Sequence, residues 1–293
     1  KYYATPDRFM RIQELLKEKE RLSAADFETI MSDVLMVMGR DWTPLINQAL
    51  NDTELSNVET EALRKLNQWD FKAGRNQVAP TVFNVFTTYL AENTFKKRLG
   101  PDLYQNYVTG DKNIPFNVLR EALQKGESAW FDDPDTAKIE NMNDVLVKSY
   151  KDTIAFLQKE LGDDVQDWQW KNLHEMTILH PFGKKSAVMG AFLNLGTFPV
   201  DGSLFTVNPT YFKVSESYKA KSGGASFRYI IDFKDSKNSK RILPGGTSGN
   251  FMSPHYDDQL ALWRAGKFRP FVLDRDEVLK DSRYRLTLSP GKK

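Results

Sequence analysis

Phe227-Arg228-Tyr229-Ile230-Ile231-Asp232-Phe233 is the run whose reading decides the fold. Taken with a period of two, Phe227, Tyr229, Ile231 and Phe233 share one face and Arg228, Ile230 and Asp232 the other, which is the alternation of a β-strand. Thr206-Val207-Asn208 before it and Arg241 to Leu243 after it also read as strands, each bounded by Gly, Pro, Asn or Asp. Gln259 to Ala265 reads as a helix beyond them. Followed back toward the N-terminus, this character gives out near Gly162.

Upstream of Gly162 the apolar residues recur at helical spacing. Thr5-Pro6-Asp7 is a start signal, with Phe9, Ile12, Leu15 and Leu16 on one face. Ser23 opens a second helix carrying Phe27, Ile30, Met31, Val34 and Leu35. Trp42-Thr43-Pro44 reads as the opening of a third, and Asn57 to Leu66 as a fourth. Pro80 to Phe95, Pro115 to Leu123 and Asn143 to Leu161 complete the set, with a turn-rich cluster at Ser128 to Pro134. The expectation is an α+β protein, with a mostly helical region at 1–162 and a strand-rich region at 163–293.

Composition narrows the function. The 41 basic and 39 acidic residues are interspersed and leave a net charge of +2, so there is no basic stripe for a nucleic acid. No stretch approaches the ~20 apolar residues of a membrane-spanning helix. The absence of cysteine removes disulfides, thiolate metal sites and a Cys nucleophile together. With 19 Phe, 11 Tyr and 6 Trp the chain can bury a sizeable core and is not of the disordered class.

Motifs read singly are weak. His174, His180 and His255 do not form the His-Glu-x-x-His frame of a zinc protease. Gly245-Gly246-Thr247-Ser248-Gly249 lacks the Lys and spacing of a phosphate loop and is not a Gly-x-Ser-x-Gly elbow. It reads as a tight turn. Asp132, Asp133 and Asp135, and the pair Asp257 and Asp258, offer oxygen ligands for a hard cation but fit solvated turns better. Trp168-Gln169-Trp170 has the look of an aromatic platform, against the plainer reading of two core rings.

Read in order, however, these segments resemble one family, the penicillin acylases. Trp168-Gln169-Trp170-Lys171-Asn172-Leu173-His174 with His180-Pro181-Phe182 resembles that family's W-x-W-G-x-x-H…H-P segment. Phe198 to Asn208 resembles its P-x-G-G-x-x-T-V-N strand, and Ser226 to Asp232 its S-x-R-x-I-x-D strand. Leu243 to Asn250, Ser253 to Gln259 and Trp263 resemble its L-P-G-G-Q-S-G-N…S-P-H-Y-x-D-Q…W block. The resemblance extends over nearly the whole chain and is strongest from Trp168 to Gly266. Lys171-Asn172, Ser203 and Thr247 depart from the pattern. Of these Ser203 borders the ligand strand and so bears on the shape of the substrate pocket.

The resemblance implies an N-terminal nucleophile hydrolase with an αββα sandwich, incomplete here. In that family a Ser at the processed N-terminus of the β chain attacks an amide, and its own α-amine, with a reference pKa near ~8, serves as general base. Lys1 cannot be that Ser, so the expectation is a C-terminal part of the β chain, inactive by itself, whose α chain and preceding β residues are partners. Asn208 falls where the family places its oxyanion-hole Asn, and Arg228 where it places an Arg that orients the Asn and the nucleophile's amine. The implied substrate is a small acylated amine, either a penicillin side-chain amide or an N-acyl homoserine lactone, in a periplasmic or secreted setting. No cofactor is implied for the chemistry. Family members often bind calcium, but no ligand can be assigned here, and the substrate-binding residues stay open. Exposed sheet edges imply self-association. The competing reading is a catalytically inactive family member that serves as a binding or structural protein.

Overall fold

The computed structural model describes residues 3–111, 113–215, 217–221 and 223–291. Lys1, weighed above as a nucleophile, lies outside the described residues. In chain order the elements are α1 (Asp7–Lys17), α2 (Ala24–Met31), α3 (Val37–Leu50), α4 (Asn57–Asn67), α5 (Ala79–Leu99), α6 (Pro101–Gly110), α7 (Asn113–Lys125) and α8 (Met142–Leu161). There follow β1 (Glu175–Thr177), α9 (Ala187–Leu193), β2 (Thr197–Pro199), β3 (Ala220–Lys221), β4 (Arg228–Ile230), β5 (Lys240–Ile242), α10 (Leu260–Arg264), β6 (Arg269–Pro270) and α11 (Arg275–Asp281). The fold is α+β. Contacts divide the chain into two compact units, one of Lys1–Lys19 with Ser32–Ala225 and one of Glu20–Met31 with Ser226–Lys293. The change of character at Gly162 is thus a change of secondary structure, just after α8 ends, and the boundary between compact units falls at Ala225.

In the first unit α5 is the central helix. Residues from Ala79 to Phe95 are buried on nearly all sides, as a helix without a polar face must be. It packs on α8, α4, α6 and α7, while α3 packs on α8. Trp42, Trp69, Phe83, Phe86, Phe95, Tyr150 and Ile154 fill the space between these helices. Trp69 and Phe83 lie with ring centroids 5.5 Å apart. Burying each such side chain stabilises the fold by roughly 1.5–3 kcal/mol. The small sheet of this unit runs β2-β1-β3, with β1 antiparallel to β2 and parallel to β3.

Ser56 accepts from the Glu59 amide and the Glu59 carboxylate accepts from the Ser56 amide, a reciprocal capping box that starts α4. Asn141 and Asp144 do the same for α8. Pro44 does not open α3. That helix begins seven residues earlier, at Val37, and carries Pro44 inside it. The Thr43 hydroxyl donates to the Gly39 carbonyl at 2.7 Å there, while Pro44 has no N–H to give the Arg40 carbonyl. Likewise α2 stops at Met31, so Val34 and Leu35 are not part of it, and Leu35 forms a bridge to Lys72 instead.

The second unit holds the sheet β4-β5-β6, antiparallel throughout, with α2 packed on β4. Lys240 and Glu28 form an ion pair within it. Only Arg228–Ile230 of the run that opened the sequence reading forms a regular strand. Its faces are disposed against simple hydrophobicity: Arg228 and Ile230 are buried, while Phe227, Tyr229 and Phe233 are exposed.

Candidate active site

Thr206-Val207-Asn208 does not form a strand; it is a bend within a tight loop. Its backbone groups are taken elsewhere. The Asn208 amide donates to the Asp33 carbonyl at 2.8 Å, and Arg8 donates to the Val207 carbonyl at 3.2 Å. The Thr206 hydroxyl donates to the Asn208 carbonyl at 2.7 Å and accepts from the Ser203 amide. Gly202 closes the loop. Its φ is +95°, and a Cβ there would lie 2.5 Å from the Asn208 carbonyl oxygen, so only glycine fits. The Gly202 amide donates to Ala73, and its carbonyl accepts the Trp170 indole N–H at 2.9 Å. Ser203, expected to bear on the pocket, is buried with its hydroxyl donating to Asn84 Oδ1 of α5 at 2.5 Å. Half-buried Asn208 is therefore held from both sides by buried, hydrogen-bonded neighbours.

Next to this loop lies His174, 0 % exposed. Its ring stacks on Trp170, with centroids 4.4 Å apart and planes at 12°. Nδ1 is 2.6 Å from the Tyr218 carbonyl and Nε2 is 2.7 Å from the Thr210 hydroxyl. Burial, only partly offset by the Tyr218 carbonyl and the charge of Asp201, pulls its pKa down to about 4. The imidazole is neutral at pH 7. Asp201 itself is gripped by Arg75 through Nε at 3.0 Å, Nη2 at 2.6 Å and the backbone N–H at 2.7 Å. Burial opposes its ionisation, but these bonds prevail and hold the carboxyl below its usual range. The sequence reading placed His174 and Thr206 within family motifs but drew no role for either of them, nor for Thr210. The signal for them was the three hydroxyl residues, Ser203, Thr206 and Thr210, that follow Gly202.

Arg228 belongs to the second unit and is 3 % exposed. Its guanidinium lies over the Trp263 ring, 4.9 Å from the centroid, and the Trp263 indole donates to the Ser226 carbonyl. Burial draws its pKa down to about 10, which still leaves it cationic at pH 7. Asn208 and Arg228 thus lie in different compact units, and each is placed by its own unit.

The Gly-rich segment is a turn. The Ser248 amide donates to the His255 carbonyl, and a Cβ on Gly246 would meet that same oxygen at 1.9 Å. The buried Gln259 receives the Leu243 amide and ties the turn to α10. His180 is half-buried, and His255 is exposed with its ring 3.2 Å from Asp258. Trp168 and Trp170 are both fully buried and form no platform. Asp132 pairs with Arg98, Asp135 with Lys97 and Asp258 with Arg269. Among the described residues no group of three carboxylate or imidazole side chains gathers as a metal site, so no calcium ligands are assigned.

The chain is 25 % identical over 240 residues to a protein of Pseudomonas syringae pv. syringae named acyl-homoserine lactone acylase QuiP, covering 80 % of this chain and 29 % of that protein. It is 22 % identical over 288 residues to the penicillin acylase 2 proenzyme of a Pseudomonas species, covering 98 % of this chain and 36 % of the proenzyme. The chain thus spans about a third of the length of these relatives. Its fold resembles the thermostable penicillin G acylase of Alcaligenes faecalis, with a TM-score of 0.60 at 13 % identity over all of this chain and 54 % of that one. The sequence profile described as penicillin amidase matches residues 1–280, and the chain accordingly belongs to the penicillin amidase family.

Proposed function

We propose that this chain supplies the oxyanion-stabilising part of an amidohydrolase that cleaves a linear N-acyl bond by acyl transfer to a Ser and then to water. In this reading the Ser and its α-amine come from the further length that the relatives possess. The chain alone is then inactive. The observation that carries the reading is the bracing of Asn208. A side-chain amide stabilises the developing O⁻ of a tetrahedral intermediate only if it need not reorganise when charge appears. A loop with its amide, both flanking carbonyls and a glycine approach all fixed is suited to hold such a donor still. Arg228, a buried cation held over the Trp263 ring, is the second residue of the proposal on the strength of its place in the family pattern.

The names of the relatives support small acylated amines as substrates, N-acyl homoserine lactones and penicillin side-chain amides. A periplasmic or secreted setting belongs to the same reading. The chemistry asks for no cofactor, since the side chains and the α-amine supply the base, the nucleophile and the oxyanion donor.

The test uses the intact, processed protein with N-acyl homoserine lactones and with a chromogenic N-acyl amine. Release of the amine is expected, with Asn208→Ala lowering kcat by about 10²–10³ and leaving KM nearly unchanged. An intact protein that binds these amides without turning them over is instead the inactive, ligand-binding family member. Unchanged kcat in Asn208→Ala removes Asn208 from the site.

A further inference from the structure

The geometry points to His174 as a positioning residue: through the Thr210 hydroxyl it holds the loop from Asp201 to Thr210, and with it Asn208, in its reactive geometry. The inference rests on Asn208 being the oxyanion donor, as proposed above.

The proton inventory fixes how His174 acts. A carbonyl oxygen only accepts, so the 2.6 Å contact with Tyr218 requires the proton on Nδ1. Burial keeps the ring neutral, which leaves a lone pair on Nε2. The Thr210 hydroxyl therefore donates to Nε2 at 2.7 Å. The same hydroxyl lies 3.2 Å from the Asp201 carbonyl, but it has one proton, and the shorter contact takes it. The Thr210 amide meanwhile donates to the Ser203 carbonyl at 3.1 Å. Both ends of the loop are thus closed on each other, and His174 pins the closure to the body of the first unit.

The ring cannot drift. Trp170 stacks on one face, Phe212 meets it edge-on at 5.7 Å, and the Trp170 indole N–H holds the Gly202 carbonyl at the loop's other end. Thr210 is two residues from Asn208, separated only by Pro209, whose ring fixes φ and transmits a displacement rather than absorbing it. A misplacement of about 1 Å in a catalytic donor can cost on the order of 10²-fold in rate. A smaller slackening of the loop is expected to cost about tenfold.

The experiment is a double-mutant cycle on the intact, processed enzyme, reading kcat and KM. Thr210→Val removes the hydroxyl at nearly constant volume, Thr210→Ser restores it, and His174→Asn keeps a donor toward Tyr218 while losing the acceptor toward Thr210. The expected result is a fall of about tenfold in kcat for Thr210→Val at unchanged KM, with recovery in Thr210→Ser. The further loss vanishes when Thr210→Val is added to Asn208→Ala. Additive losses in the cycle, or a normal kcat in Thr210→Val beside a crippled Asn208→Ala, overturn the positioning role and leave the oxyanion assignment intact. A normal kcat in Asn208→Ala removes both. If His174→Asn fails to fold, the Thr210 pair alone decides.

Discussion

At the scale of single residues, two positions carry consequences that stability measurements can read. His174 is neutral when folded, with a pKa near 4, against about 6.5 for a free histidine. The unfolded chain therefore takes up a proton at a pH where the folded chain does not. The stability contributed by the neutral ring is fully present above pH 6.5 and is lost as the pH falls toward 4. At pH 5 the loss comes to about 2 kcal/mol. Urea unfolding of the chain at pH 5 and pH 7 checks this: stability is lower at pH 5, and the difference shrinks in His174→Asn. Asp201 does not confound the window. Its carboxyl is held below the ordinary range, so its contribution is retained until the pH falls below the free carboxylate value of ~3.9. The second position is Gly202. A Cβ there meets the Asn208 carbonyl oxygen at 2.5 Å and also forces a φ of +95° on an L-residue. Gly202→Ala is expected to cost about 1–3 kcal/mol and to lower the melting temperature by several degrees in a thermal scan.

At the scale of elements, what the sequence makes plain is whatever local chemistry decides. The helix read from Asn57 does start there, and the structure shows why a local signal suffices: the Ser56–Glu59 capping box needs only four consecutive residues. Replacing Ser56 with Ala leaves the Glu59 amide without that acceptor, and a loss of about 1 kcal/mol in unfolding free energy is expected. A change below a few tenths of a kcal/mol would mean water replaces the cap. The apolar spacing of α5 and α8 was legible for the same reason. Where neighbours from distant parts of the chain decide, local signals mislead. Pro44 looks like a helix opening, but the preceding turn is stabilised by the burial of Val37 and Met38, and the helix runs through the proline. Thr206 to Asn208 looks like a strand because Thr and Val favour one, but Asp33 and Arg8 take the hydrogen bonds a sheet partner would have used. Asn208 and Arg228 themselves were identified by resemblance to a family and not by pattern. The run around Arg228 shows why: its burial reverses the face that hydrophobicity favours, so period alone cannot tell which side is turned inward.

At the scale of the whole molecule, the apolar surface left uncovered sets an expectation about association. Phe227 and Tyr229 are exposed and stacked on each other, with ring centroids 5.0 Å apart, and Phe233, Phe251 and Met252 are exposed in the same unit. Among the described residues β4 is an edge strand, paired on one side only, and its outward face is aromatic. Such an edge presents apolar side chains to solvent, which natural sheets avoid by charge or cover. The chain by itself is therefore expected to self-associate, with a scattering mass that rises with concentration. Tyr229→Lys places a charge on the exposed aromatic face and is expected to shift the chain toward monomer without lowering its melting temperature, because Tyr229 is not part of the core. A monomer mass for the unaltered chain at hundreds of micromolar would count against the edge as a site of association. A rising mass that Tyr229→Lys leaves untouched would move the contact to another surface.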